Sequence, residues 1–285
     1  MSTARRPRRY AAVTAAVGLM MAAVPALTAA PASAAPAPLA GPGPRAASVG
    51  GGNVSIGWSV PGTPTAGLRD LTFPLTVNKA TAHKEGIYFA QQFGFTGAAD
   101  VGYTGLQPRP DSGGSERLSA RFSTFVAGAT TTDPLCRPGA DGGPGVTCAV
   151  DFDGVYGHRY DLKVKRTGTD TWTGTARDTV TGKETRLGSY TLPAGSGNLR
   201  GSQGGFVEYY LGIPSCAEMP RADAVFGGPT STDAGGLDGT AKANYEYSDC
   251  VGESNYKAET AGSGTRVTRG FDPAAATSPV GAARR

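Results

Sequence analysis

The sequence predicts an all-β protein, folded as an antiparallel two-sheet sandwich of the jelly-roll or lectin-like kind with two disulfides. Aromatic and β-branched residues recur at every second position in many short segments, which is the period of a half-buried strand. The 43 glycines and 21 prolines separate these segments along the whole chain. Helical periodicity is nearly absent, so the strands must bury their apolar faces against one another.

The first 34 residues have the pattern of a secretory signal peptide. Four arginines precede an apolar stretch at residues 11–30, and Ala32 and Ala34 form a small-residue cleavage site. A membrane anchor is the alternative, which Pro25 makes less favourable by interrupting a spanning helix. The sequence therefore predicts a secreted, extracellular protein.

Composition also predicts the domain organisation. Residues 35–52 are rich in Ala, Pro and Gly, so we expect a disordered lead-in there, and we expect a disordered tail at residues 272–285. No linker interrupts the chain between them, so residues 53–271 are predicted to form a single β-sandwich domain.

Charge argues against several partners. The chain has 27 Lys and Arg against 23 Asp and Glu, and without the four arginines of the signal peptide the balance is 23 to 23. A neutral chain without basic runs has no electrostatic footprint for nucleic acid, or for a membrane after processing. No cofactor motif is present, so we expect no cofactor and a monomer. Asp141, Asp151 and Asp153 are weak candidates for calcium, and we expect no metal.

Strands are predicted in chain order from the period-two pattern and the breaks between segments. The strongest run is a set of three consecutive strands at residues 87–95, 101–107 and 117–125. Two strands precede it at residues 54–60 and 68–77. Those that follow are predicted at residues 147–153, 158–166, 171–179, 183–192, 205–211, 222–226, 240–247 and 265–268.

The two faces of the strand at residues 87–95 differ in character. Ile87, Phe89 and Phe93 fall on one face, whereas Tyr88 and Gln92 fall on the other. We therefore predict that the first face is core and that the second is the accessible face of the sheet.

The four cysteines favour disulfides over zinc, because the chain is predicted to be exported. Three pairings are possible, and proximity in sequence favours Cys136–Cys148 and Cys216–Cys250. Each bridge is typically worth ~2 to 4 kcal/mol.

Several motifs occur together in order: IYFAQQFGF, VGYTGLQ, RFSTF, the cysteine-bracketed Gly-rich loop, YDLKV, the WTG strand and FVEYY before Cys216. In this order the chain resembles the family of exported bacterial proteins called domain of unknown function 3472. The resemblance covers residues 87–229, and its most specific motif is GYTGLQ at residues 102–107. It implies export and the sandwich fold, and it supplies no catalytic residues.

Histidine chemistry has little basis in this sequence. His83 and His158 are the two histidines, and neither lies in a Gly-x-Ser-x-Gly or His-Glu-x-x-His pattern. A histidine-dependent triad or a zinc hydrolase is therefore not predicted, and we expect both side chains to have solvated or structural roles.

Glu208 is the candidate catalytic residue. Its strand neighbours are aromatic, so burial could raise its pKa as a general acid requires. Glycosidases use a second carboxylate, for which Asp100, Asp161 and Asp178 are candidates. The alternative is a structural carboxylate that is hydrogen-bonded to Arg121 or to backbone donors.

Binding requires fewer specific groups than catalysis. Aromatic rings and amides on a sheet face suit sugars, because rings stack on pyranose faces and amides bond hydroxyls. The leading hypothesis is therefore binding of extracellular polysaccharide or cell-wall glycan without catalysis. One alternative is a glycan-cleaving hydrolase or lyase using Glu208, and another is a protein-binding module or inhibitor using the loop at residues 108–116. The candidate binding residues, each of which could also be ordinary sheet decoration, are Tyr88, Gln92, Tyr103, Gln107, Trp172 and Tyr209.

Overall fold

The computed structural model describes residues 48–272. The predicted signal peptide at residues 1–34, the lead-in up to residue 47 and the predicted tail after Asp272 lie outside the described residues. No helix within residues 48–272 is long and apolar enough to cross a membrane.

The described chain consists almost entirely of strands, with two short 3-10 helices at Cys216–Glu218 and Asp233–Gly235. In chain order the strands are β1 (Val49–Gly50), β2 (Asn53–Ser59), β3 (Asp70–Val77), β4 (Ile87–Gly94), β5 (Val101–Ser112), β6 (Ser115–Thr124), β7 (Cys136–Ala140), β8 (Gly143–Asp153), β9 (Arg159–Arg166), β10 (Thr171–Asp178), β11 (Glu184–Thr191), β12 (Ser202–Tyr209), β13 (Gly212–Ile213), β14 (Ala222–Phe226), β15 (Thr230–Ser231), β16 (Leu237–Asp238), β17 (Thr240–Tyr247), β18 (Lys257–Ala261) and β19 (Gly264–Arg269).

Two antiparallel sheets form the sandwich, which confirms the predicted fold class. The eight-stranded sheet has the order β17-β2-β12-β4-β5-β6-β8-β7. The nine-stranded sheet has the order β11-β10-β9-β3-β14-β19-β18, and the short strands β15 and β16 join it beside β3. A separate two-stranded pair joins β1 to β13.

The core lies between the two sheets and is built from the faces that the alternation predicts. On β4, Phe89 and Phe93 are fully buried. The Phe93 ring packs 6.2 Å from Phe122 of its own sheet and 6.4 Å from Phe73 of the opposite sheet. Because rings from both sheets meet here, β4 crosses the centre of the sandwich and its other face points outward.

Both predicted disulfides are confirmed. Cys136 and Cys148 occupy paired positions on β7 and β8, and they close the loop between them. Cys216 and Cys250 join the first 3-10 helix to the segment after β17, with 5.5 Å between their Cα atoms.

Residues 49–52 belong to the fold, so the prediction of a disordered lead-in is wrong for this part of the chain. Val49 and Gly50 pair with β13, and the buried Arg269 guanidinium donates to the carbonyl oxygens of Gly51 and Gly52, at 2.6 Å each. A Cβ atom at Gly51 would lie 2.4 Å from the Tyr209 ring. The glycines that suggested disorder are needed here for close packing.

Gly188 gives a testable consequence of the packing around the first disulfide. Its φ of +135° is unfavourable for other residues, and an added Cβ would lie 2.3 Å from Cys136 Sγ. We expect Gly188→Ala to lower the free energy of unfolding by about 2 kcal/mol or more, measured by urea denaturation. The control is Gly182→Ala, at a turn with φ +76° and nothing within 4 Å of the new Cβ. Equal losses in both variants would contradict a packing constraint at the disulfide.

Candidate functional site

The outer face of the eight-stranded sheet carries the candidate site. On β12, Val207 and Tyr209 point into the core, so Phe206 and Glu208 point outward. Two adjoining clefts of about 410 Å³ and about 510 Å³ lie on this face, and both are lined by Gln92, Phe206 and Glu208. Glu208 therefore stands at the junction of one continuous groove.

The two halves of the groove differ in their side chains. The half over β17 and β2, which we call the tyrosine cleft, has two tyrosines at its rim. The half over β5, β6, β7 and β8, which we call the arginine cleft, has two arginines. In addition to the shared residues, the tyrosine cleft is lined by Asn53, Ser55, Gly204, Gly205, Tyr245 and Tyr247. The arginine cleft is lined by Tyr88, Tyr103, Gln107, Arg121, Phe125, Arg137, Asp141, Thr147 and Tyr210.

Glu208 is a half-buried carboxyl that accepts no hydrogen bond and forms no ion pair within the part of the chain that the structure describes. Burial raises its pKa above the ordinary value, and the charge of Asp141 acts in the same direction. The buried carboxyls of the core behave differently. Burial raises the pKa of Asp70 and Asp223 as well, but the hydrogen bonds from Ser231 and Thr232 to Asp70 and the pairing of Asp223 with Arg266 outweigh it, so the pKa of each is lowered. Glu208 is therefore a half-buried carboxyl whose lost hydration is not replaced by any hydrogen bond or ion pair among the described residues.

The structural role considered for Glu208 is not supported by this geometry. Arg121 forms no hydrogen bond or ion pair with Glu208 within residues 48–272, and its Nε donates to Gln107 Oε1 at 3.3 Å. The proposed pairing of Glu208 with Arg121 is therefore wrong.

None of the three carboxylates suggested as partners of Glu208 lines the groove. Asp161 lies on β9 in the opposite sheet, Asp178 accepts from His158 at 2.9 Å, and Asp100 lies in the connection before β5. These three expectations are corrected. The carboxylate that does share a cleft with Glu208 is Asp141.

Gln107 presents an amide donor on the same face. Its Oε1 accepts from Arg109 at 2.6 Å and from Arg121 at 3.3 Å, which leaves its Nε2 hydrogens as the groups available to a ligand. Glu208 is in register with Tyr88, and the pairing of Phe89 with Leu106 places Gln107 opposite Tyr88. Glu208 and Gln107 therefore lie at the same level, two strands and ~10 Å apart at the backbone.

The Tyr88 side chain forms the floor between these two groups. A Cβ atom at Gly105 would lie 2.8 Å from Tyr88 Cε2, so the ring leans over this glycine. The ring also makes edge contacts with Tyr103 at 5.7 Å and with Phe206 at 5.4 Å. Because Tyr88 leans away along its strand, the space above it, between Glu208 and Gln107, remains part of the groove.

The disulfide-closed loop supplies the far wall of the arginine cleft. Asp141 lies in the turn between β7 and β8 and accepts from the Tyr103 hydroxyl at 3.1 Å. Burial raises the pKa of Tyr103 to about 12, and the Asp141 charge acts in the same direction. Tyr103 therefore remains a neutral hydrogen-bond donor over the ordinary pH range and holds Asp141 in place.

Four of the six predicted binding residues lie in the groove, and two do not. Tyr88, Gln92, Tyr103 and Gln107 line the arginine cleft. Trp172 lies on β10 in the opposite sheet, is 0% exposed, and packs 5.4 Å from Phe95 in the core. Tyr209 points into the core beside Val207 and is 7% exposed. The placement of Trp172 and Tyr209 on the binding face is therefore corrected.

Sequence reasoning missed the aromatic rim of the groove. Tyr210 has the same parity as Glu208 and Phe206, so the alternation could have identified it. Tyr245 and Tyr247 lie on the edge strand β17, with 6.2 Å between their rings, and are 61% and 38% exposed. Alternation alone could not have assigned them to this groove, because their position depends on the long-range pairing of β17 with β2.

Two other expectations concern the surface. The predicted loop at residues 108–116 is instead the end of a hairpin, because β5 runs to Ser112 and β6 begins at Ser115. Within the described range, no group of three or more His, Cys, Asp or Glu side chains is placed to hold a metal ion. Asp153 is instead paired with Arg117.

No family model matches this chain, and no curated protein matches it. Solved structures similar to it include Scytalido-glutamic peptidase with a peptide-based transition-state analogue, with a TM-score of 0.40 and 14% identity over 79% of this chain and 98% of that one. They also include SCP-B, a member of the eqolisin family of peptidases, in complex with the tripeptide Ala-Ile-His, with a TM-score of 0.39 and 13% identity over the same shares. What this chain does chemically has to be derived from its own side chains.

Proposed function

We propose that this protein is a carboxyl-dependent hydrolase that cleaves peptide bonds in an extended chain bound across the groove. The observation that carries the proposal is Glu208, a desolvated carboxyl at the junction of two clefts that has no hydrogen-bond or ion-pair partner among residues 48–272. Uncompensated burial of a carboxyl is costly, and such groups are concentrated at functional sites. A groove on both sides of Glu208 suits a bond in the interior of a polymer.

Glu208 and Gln107 have complementary roles in this reaction. The ionised Glu208 takes a proton from a water molecule, which attacks the carbonyl carbon of the substrate. The Nε2 hydrogens of Gln107 donate to the carbonyl oxygen as it becomes negative. Glu208 then transfers the proton to the leaving nitrogen, so the carboxylate is regenerated and the C–N bond breaks. Tyr88 excludes water from the floor below.

Asp141 favours a second candidate, cleavage of a glycan. Glycosidases use two carboxyl groups that flank the bond to be cleaved, and Glu208 and Asp141 line the same cleft. In this reaction Glu208 would be protonated and would act as the general acid. Binding of a polysaccharide without cleavage remains the prediction to be tested if neither activity is present.

The pH dependence of the rate distinguishes the two reactions. A general base must be ionised, so kcat/KM for peptide should rise as the pH increases through the Glu208 pKa, with a midpoint above 4.5. A general acid would give a rate that falls through the same pKa. Asp141→Asn removes a charge that raises this pKa, so the midpoint should move to lower pH in either case. An unchanged midpoint in Asp141→Asn would contradict the predicted effect of the Asp141 charge on the Glu208 pKa.

The function is tested by incubating the purified protein, between pH 4 and 7, with a denatured protein and separately with mixed cell-wall polysaccharides. We expect new peptide N-termini inside the denatured protein and no new reducing ends. New reducing ends alone would favour the glycan hydrolase. Retention on a polysaccharide column without any product would favour the binding hypothesis.

A further inference from the structure

Two guanidinium groups in the arginine cleft have no carboxylate partner. Arg121 is half-buried on β6, and Arg137 is exposed on β7 opposite Thr147. Within residues 48–272, neither forms an ion pair, whereas Arg186 and Arg266 are paired with Asp133 and Asp223. Arg121 is held in place by its contact with Gln107 at 3.3 Å. Their positive charges therefore remain available to a ligand in the groove.

The carboxylates nearby form no ion pair with these guanidinium groups within residues 48–272. Asp141 instead accepts from the Tyr103 hydroxyl, at 3.1 Å and 3.3 Å to its two oxygens. Glu208 forms no ion pair with either guanidinium within the described residues, and its strand β12 lies three strand spacings, or ~14 Å along the sheet, from Arg121 on β6. A guanidinium is weakly hydrated and binds a carboxylate through two parallel hydrogen bonds, so a pair of them suits an acidic group.

We propose that the arginine cleft is a subsite for an acidic side chain, Asp or Glu, of the peptide substrate. The inference rests on the proposed function for the position of the cleaved bond, and it adds the chemistry that selects the substrate. Arg121 lies three strand spacings from β12, or ~14 Å, and an extended peptide advances ~3.3 Å per residue. The acidic side chain is therefore bound about four residues or fewer from the cleaved bond.

The tyrosine cleft has the opposite character and gives the groove its direction. Among the described residues, Glu208 is the one charged side chain that lines it, and its rim is formed by Tyr245 and Tyr247. A neutral or aromatic residue of the substrate suits this side. The two clefts thus orient the chain, with acidic residues toward β7 and neutral residues toward β17.

The subsite is tested by binding to the Glu208→Gln variant, which keeps the peptide intact. The probe is a fluorescein-labelled ten-residue peptide of Gly, Ala, Ser and Gln, compared with peptides in which each Gln in turn is replaced by Glu. At pH 6 and low salt we expect at least one Glu peptide to bind about 10-fold more tightly than its Gln parent, and we expect added salt to reduce this preference.

A matched pair of variants assigns the preference to the cleft. Adding Arg137→Gln should reduce the preference for Glu to about 2-fold or less, because this exposed side chain supplies positive charge to the cleft and forms no side-chain hydrogen bond or ion pair within residues 48–272. Adding Arg177→Gln, an exposed arginine on β10 of the opposite sheet, should leave it unchanged. Equal affinity of all Glu and Gln peptides would overturn the proposal, and so would an Arg137-dependent affinity for oligogalacturonate but not for peptides. Because peptide binding is measured on the inactive Glu208→Gln variant, the two proposals can fail separately. Absence of peptide hydrolysis by the wild type would refute the proposed function but not the acidic subsite.

Discussion

Glu208→Gln is expected to reduce peptide hydrolysis by ~100-fold or more without destabilising the fold. The amide has nearly the same shape as the carboxyl, but it can neither accept the proton from water nor return it to the leaving nitrogen. Because no described donor is bonded to Glu208, the substitution leaves no hydrogen bond unmade. Initial rates and thermal unfolding of the two proteins, measured in the same buffer, provide the comparison.

The sign of the difference in stability between Glu208→Gln and the wild type can be predicted. The Glu208 pKa is raised in the folded state, so the folded protein binds this proton more tightly than the unfolded chain does. Stability of the wild type should therefore fall as the pH increases from about the ordinary value of 4.5 through the raised pKa. Glu208→Gln has no ionisable group at this position, so its stability should not fall in this way. At pH 7 the variant should therefore be at least as stable as the wild type.

Glu184→Gln is the matched control for this experiment. Glu184 is an exposed carboxyl on β11 in the opposite sheet, so its removal should change neither rate nor melting temperature appreciably. If Glu208→Gln retained full activity, Glu208 would have no part in proton transfer. If it unfolded while Glu184→Gln did not, Glu208 would be a structural residue.

Trp172→Ala is expected to lower the free energy of unfolding by ~3 to 5 kcal/mol, the usual cost of removing a large buried aromatic side chain. Trp172 is 0% exposed and packs against Phe95, so the substitution leaves a cavity between the sheets. Urea denaturation followed by circular dichroism measures the loss. It also decides between a core residue and the sugar-binding residue that its sequence alone suggested.

Trp172→Phe separates packing from binding. The indole Nε1 has no hydrogen-bond partner among the described residues, so its loss leaves no acceptor unsatisfied, and we expect a smaller loss of stability than in Trp172→Ala. Ligand affinity should be unaffected in this variant. A stable Trp172→Ala protein that no longer bound a ligand would show that the side chain is not a core residue.

Period-two alternation was sufficient to predict most strands and both faces of β4, because those strands are apolar on one side and polar on the other. It failed for β7 and β18, whose sequences CRPGA and KAETA have little apolar surface and lie at the ends of the two sheets. An edge strand with little apolar surface has a weak periodic signal. Its existence depends on the neighbour with which it pairs.

The error on Trp172 has a different cause. Thr171 and Thr173 take the opposite face of β10, so the alternation itself indicated that Trp172 points inward. Tyr209 could have been placed in the core by the same reasoning, since it shares parity with Val207. Aromatic character suggested binding in both cases, but burial in the core is the commoner use of a large ring.

The absence of a partner for Glu208 could not be predicted from the sequence. It depends on the direction of the Arg121 side chain, which is held by Gln107 on a neighbouring strand. Similarly, Asp141 and Arg137 reach the groove only because β7, which the Cys136–Cys148 disulfide joins to β8, forms the edge of the same sheet. These are long-range placements, and no local pattern in the sequence contains them.

The pKa of the Glu208 carboxyl in the folded protein is the most direct test of this account. It can be measured by a carbon-detected NMR titration of protein labelled at glutamate, with the resonance assigned by its loss in Glu208→Gln. We predict a pKa above 4.5 in the wild type and a lower value in Asp141→Asn, because burial and the Asp141 charge both raise it. A pKa at or below 4.5 in the wild type would mean that the carboxyl is solvated or paired, and it would contradict the assignment of Glu208 as the uncompensated catalytic group.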